Sequence, residues 1–183
     1  MKKLHVILFI IIFPLVSWAQ SETAQALQKQ YDEAFTLYFY KNTLRMLNQT
    51  DSPEFDELIK DIEKMKFLMI DKSKMKFAPD DYKRLLKQYN AESYEEIMTT
   101  RYQGKNFDIY LKDKKGSTLG TVMLVNDSTS LYVLDILGTI DVSKATQLFS
   151  TLDESSDIGQ KIKSFLDTGE SPSKQRGFKI HNQ

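Results

Sequence analysis

From Asn106 onward the spacing of apolar residues changes from helical to alternating, and this change constrains the fold more than any other feature of the chain. Phe107, Ile109 and Leu111 share one side of a strand, Leu119 to Val125 forms a second, and Leu131 to Leu137 a third. Lys115-Gly116 and Asn126-Asp127-Ser128 are the turns between them. Strands joined by so few residues pair antiparallel, because a parallel return needs a crossover of about a dozen residues. The predicted unit is a C-terminal three-stranded antiparallel meander.

The residues before it read mainly as helices. Gln20 to Ala34 is polar, with Leu27 and Tyr31 as its only anchors, and predicts a peripheral helix. FTLYFY at 35–40 has the aromatic and β-branched composition of a strand, and Lys41 to Asn48 predicts a short helix or turn. Asp51-Ser52-Pro53-Glu54 predicts a helix start: Asp51 caps free amides, and Pro53 needs no amide partner there. Phe55, Leu58, Ile59, Ile62 and Met65 follow at helical spacing and lead into a short buried strand, FLMI, at 67–70. Pro79-Asp80-Asp81 starts a further helix, with Tyr82, Leu85, Leu86 and Tyr89 on one face. Ser93-Tyr94-Glu95-Glu96 reads as a capping box opening a short helix through Met98. After Gly138, Asp141 or Ser143 caps a last helix with Ala145, Leu148, Phe149 and Leu152 on its apolar face, and a weaker helix spans 158–166. The expected fold class is α+β: a two-layer sandwich, with helices packed mainly on one face of a mixed sheet that contains the meander.

Residues 1–19, MKKLHVILFIIIFPLVSWA, have two lysines, an apolar run from Val6 to Val16, and small residues at Ser17 and Ala19. That is the pattern of a secretory signal peptide cleaved near Ala19-Gln20, and the apolar run is short for a membrane span. The expected organisation is a signal at 1–19, a single α+β domain over 20–168 and a disordered polar tail over 169–183. The expected location is the periplasm or the exterior, with no stable membrane insertion after cleavage.

Composition removes several kinds of chemistry. The chain has no cysteine, so disulfides, thiolate metal sites, a thiol nucleophile and a lipidated cysteine are all absent. Of its two histidines, His5 lies in the signal and His181 in the tail, so a histidine general base is not expected in the folded part. Lys2 and Lys3 leave with the signal, so the 25 basic residues become 23 against 25 acidic ones, and no basic excess points to nucleic acid. No Gly-rich phosphate loop, GxSxG or HExxH occurs. No cofactor and no metal site is expected.

The candidate site residues are Asp135, Tyr110 and Tyr132. Asp135 interrupts the apolar strand LYVLDIL; buried, its pKa would rise and it could act as an acid or base. Buried carboxylates are rare, so the expected position is a sheet end or a solvated face. Exposed tyrosines on an open sheet face, among Tyr38, Tyr40, Tyr110 and Tyr132, would mark a binding surface. The acidic pairs Asp80-Asp81 and Glu95-Glu96 are accounted for by helix N-termini. A lysine-rich segment, Lys60 to Lys76, is interleaved with Phe67 and Met75 and followed by Phe77; Asp61, Glu63 and Asp71 offset its charge.

LRML at 44–47, FDELIKDIEKMKFLMID at 55–71, YEEIMTTR at 94–101, VMLVND at 122–127 and LDILGTID at 134–141 resemble a bacterial family known as domain of unknown function 4252. The resemblance implies a small exported protein; many members are lipid-anchored, and this chain lacks the anchoring cysteine. No activity or catalytic residue comes with it. The expected function is an exported, non-enzymatic binding or protein-interaction module of the cell envelope, with another envelope protein as partner. The alternatives are a carboxylate-dependent enzyme and a stress-induced structural accessory protein.

Overall fold

The computed structural model describes residues 21–48, 51–144 and 147–149; the signal, the helix expected at 158–166 and the tail lie outside the described residues. The described elements are α1 (Glu22–Gln30), β1 (Phe35–Tyr40), α2 (Lys41–Met46), α3 (Pro53–Ile59), β2 (Ile62–Asp71), α4 (Pro79–Ala91), β3 (Glu95–Tyr102), β4 (Lys105–Lys114), β5 (Ser117–Asn126) and β6 (Ser130–Gly138). A 3-10 turn at Val142–Lys144 follows. The class is α+β.

All six strands form one open sheet in the order β1-β2-β6-β5-β4-β3, and every neighbouring pair is antiparallel. The sheet is therefore antiparallel throughout, not mixed. α2 and α3 join β1 to its neighbour β2, and α4 carries the chain from β2 to the far edge. Four hairpin-linked strands then step back until β6 docks beside β2. The meander gains β3 because Gln103 and Gly104, both at positive φ, make a tight two-residue hairpin turn like that at Lys115-Gly116.

Two expected helices are strand instead. The helix read through Met65 ends at Ile59, and Ile62–Asp71 is one ten-residue strand. IEKMK has helix formers, but the segment lies between β1 and β6, where Met65, Lys66, Phe67 and Leu68 are buried on both faces. The residues read as a capping box belong to β3 and its approach: Ser93 takes a positive φ just after α4, and Glu96 accepts from the hydroxyls of Thr99 and Tyr110. The helix cap expected at Asp51 is made by Ser52, whose Oγ accepts from the Phe55 amide at 3.2 Å.

Both faces of the sheet carry a core. On one, Met65, Phe67, Ile109, Met123, Leu134 and Ile136 pack against Leu44 of α2, Phe55, Leu58 and Ile59 of α3, and Leu148 and Phe149. On the other, Leu68, Ile70, Tyr110, Val122, Leu124 and Val133 meet Leu27 of α1 and Leu85 and Tyr89 of α4. The expectation of helices mainly on one face fails because alternate residues of the inner strands are apolar on both sides, and each set needs a cover.

Candidate functional site

The cross-strand register aligns Tyr38, Lys66, Asp135, Val122, Tyr110 and Glu96 in one row across all six strands, on the face covered by α1 and α4. Asp135 is 1 % exposed, so it lies in neither of the solvated positions expected for it. Helix α1 brings its N-cap residue to it: the Ser21 amide and hydroxyl donate to Asp135 Oδ2 at 3.1 and 3.2 Å. Ser21 Oγ also accepts from the Ala24 amide at 3.0 Å, so one side chain both caps the helix and ties it to the sheet. Burial raises the Asp135 carboxyl to about 6, against the lowering effects of Lys66 and the Ser21 bonds. Lys66, its direct cross-strand partner, is 2 % exposed, and its Nζ lies 5.4 Å from the Tyr38 ring centroid.

A second buried carboxylate lies further along the same face. Asp108 accepts from the hydroxyls of Tyr82 on α4 and Thr99 on β3, tying a helix and the sheet edge to β4. Burial first, then that bond, pushes the Tyr82 hydroxyl far above its ordinary value. Tyr110 is sealed beneath α4; its ring stacks on Tyr89 at 6.0 Å and its hydroxyl donates to Glu96 at 3.2 Å. Tyr132 lies on the opposite face, buried between Phe67 and Phe149 at 6.1 and 5.3 Å. Of the three candidate residues, Asp135 and Tyr110 thus share a row and Tyr132 does not. No open sheet face presents the four tyrosines: Tyr38 and Tyr40 are 42 % and 57 % exposed, whereas Tyr110 and Tyr132 are covered.

A cleft of about 560 Å³ lies at one end of the sheet, between the loop from β2 to α4 and the turn from β5 to β6. Phe77, Pro79 and Tyr82 line it with apolar surface, and Lys72, Lys83, Asn126 and Asp127 supply its polar groups. The pairing of β2 with β6 joins these distant segments: the Lys72 amide donates to the Thr129 carbonyl at 2.9 Å, and Lys72 Nζ donates to Asn126 Oδ1 at 2.6 Å and to the Asp127 carbonyl. Burial lowers the Lys72 amine, with Asp127 opposing. Burial works to raise the Asp127 carboxyl, but donors from Thr129 and Ser130 outweigh it and hold the group ionised below its ordinary range. Neither Asp135 nor Asp108 lines this cleft.

Sequence reasoning did not place this cleft. Its trace was the aromatic-interrupted lysine segment ending at Phe77 and the Asn126-Asp127-Ser128 turn, which nothing local connects.

The profile of the family described as Domain of unknown function (DUF4252) matches residues 29–148. The chain belongs to the DUF4252 family. That match spans β1 to β6, so the whole sheet of this DUF4252 protein, with α2, α3 and α4, lies within the family's shared region. No curated protein and no solved structure matches the chain. Among the described residues no helix is long and apolar enough to cross a membrane, and no group of three or more acidic, histidine or cysteine side chains is placed to hold a metal ion.

Proposed function

We propose that this DUF4252 protein is an exported, non-enzymatic binding or protein-interaction module of the bacterial cell envelope, and that it recognises its partner at the cleft between the β2–α4 loop and the β5–β6 turn. One contrast carries the reading. The carboxylates with the burial that proton transfer calls for, Asp135 and Asp108, are used up in fastening α1 and α4 to the sheet, whereas the open concavity offers apolar surface edged by amines. Phe77, Pro79 and Tyr82 suit an apolar or aromatic side chain, and Lys83 at the rim suits a neighbouring carboxylate. Export rests on the charged, apolar and small-residue pattern of residues 1–19.

Capture of cross-linked partners from an envelope extract tests the reading. The expected result is an envelope protein retained by the parent chain and lost with Ser73→Trp, which fills the cleft from an exposed position, or with Lys83→Glu. Retention of the same protein by both variants, or fractionation of the protein with the cytoplasm, overturns it.

A further inference from the structure

The sheet has two edges of opposite character. β3, at one end, is interrupted by a bulge between Glu96 and Met98 and carries Glu95, Glu96 and Arg101. Bulges and charges of this kind are how sheet edges are protected against pairing with another chain. β1, at the other end, has none of these devices. FTLYFY contains no charge, proline or glycine, pairs with β2 in unbroken register, and has no partner on its outer side among the described residues. Tyr38, Tyr40 and Met46, three of the five exposed large apolar side chains described, belong to this strand or to α2 directly after it.

The charges that flank β1 are also self-complementary. Asp32 and Glu33 are exposed in the turn before it; Lys41 and Arg45 are exposed on α2 after it. None of the four takes part in an ion pair among the described residues. Two copies paired antiparallel about Leu37 would set Phe35 opposite Phe39, Thr36 opposite Tyr38, and the acidic turn of each copy beside the basic helix start of the other. Opposed residues then share a face, so both cores continue across the junction, and aromatic and β-branched pairs meet.

We propose that β1 is a dimerisation edge whose occupant is the β1 strand of a second copy of this chain, joining two six-stranded sheets into one through a two-fold axis normal to the sheet. The inference goes beyond the cleft reading and does not depend on it, since the cleft lies at the β2–α4 and β5–β6 loops. An isologous junction of this kind closes on itself and leaves the protected β3 edges outermost.

Sedimentation velocity of the purified protein tests it, with charge reversals at exposed positions that leave the core untouched. A concentration-dependent dimer is expected. Glu33→Lys and Lys41→Glu should each weaken it by about tenfold or more, because each puts like charges at both ends of the junction. An equimolar mixture of the two variants should dimerise again, since unlike copies then present opposite charges to each other, and this recovery also shows that both variants are folded. A parent chain that stays monomeric, a dimer indifferent to both reversals, or a mixture that does not recover overturns the proposal.

Discussion

Lys66 and Asp135 face each other on neighbouring interior strands, and both are sealed from solvent on the face that α1 and α4 cover. Removing water from two charges costs several kcal/mol per ion, which their attraction offsets only in part and only while both remain. At a pH where Asp135 is ionised, Lys66→Met and Asp135→Asn should therefore each destabilise the protein by about 3 kcal/mol, since each removes one of two mutually attracting buried charges. The double variant keeps a side-chain oxygen to accept from Ser21 and should lie within about 1 kcal/mol of the parent. Urea unfolding of the four chains measures the coupling; strictly additive losses would contradict it.

The same carboxyl gives stability a pH dependence of unusual sign. Its folded-state value, about 6, lies above the ordinary 3.8, so between these limits the folded chain holds a proton that the unfolded chain has released. Burial is the main cause, with Glu92 adding to it; Lys66 and Ser21 oppose. This contribution is most favourable below about pH 4 and is lost as pH rises through about 6, by roughly 3 kcal/mol in all. The carboxylates held low by hydrogen bonds, Asp71, Asp127 and Asp141, act in the opposite sense and only at lower pH. The stability of Asp135→Asn relative to the parent, measured by unfolding at a series of pH values, should rise across that window and level off above it. A pH-independent difference would place the carboxyl at its ordinary value.

How much of this was legible differs by residue. Alternation from Phe107 to Leu137 determined three strands and their antiparallel pairing because the signal is local: period two, and turns too short for any other return. IEKMK at 62–66 could not be read locally, since its helix formers become strand only when β1 and β6 supply hydrogen bonds from 20 or more residues away. Asp135 was visible as the one charge in an apolar strand, but the Ser21 that satisfies it sits 114 residues earlier, and no pattern along the chain announces that meeting. The cleft is illegible for the same reason. Lys72 and Asp127 become neighbours only through the β2–β6 pairing that closes the sheet.

Gly138 ends β6 at a φ of +109°, and a Cβ built there would stand 2.2 Å from the Asp61 carbonyl oxygen. That carbonyl is fixed by the Thr139 amide at 3.1 Å, so it has little freedom to withdraw. Gly138→Ala therefore meets both an unfavourable backbone conformation and a backbone clash. A loss of about 3 kcal/mol or more is expected in thermal or urea unfolding. Gly116→Ala, also at positive φ but with nothing within 4 Å of the added methyl, should lose only about 1 kcal/mol. Equal losses at the two glycines would show that close approach at Asp61 is not the cause.

Thr121 offers the reverse test, a substitution that should stabilise. It is fully buried on the face of β5 that α2 and α3 cover, and its hydroxyl has no hydrogen-bond partner among the described residues. A hydroxyl taken out of water without a new bond costs about 1–3 kcal/mol, whereas a methyl of nearly the same size gains from the same burial. The β-branched shape suited to a strand is retained by valine. Thr121→Val should raise the unfolding free energy by about 1 kcal/mol with no change in the denaturant slope, since the surface exposed on unfolding is nearly constant. A destabilised variant would mean that the hydroxyl is satisfied after all, and a crystal structure of the parent chain would show its partner.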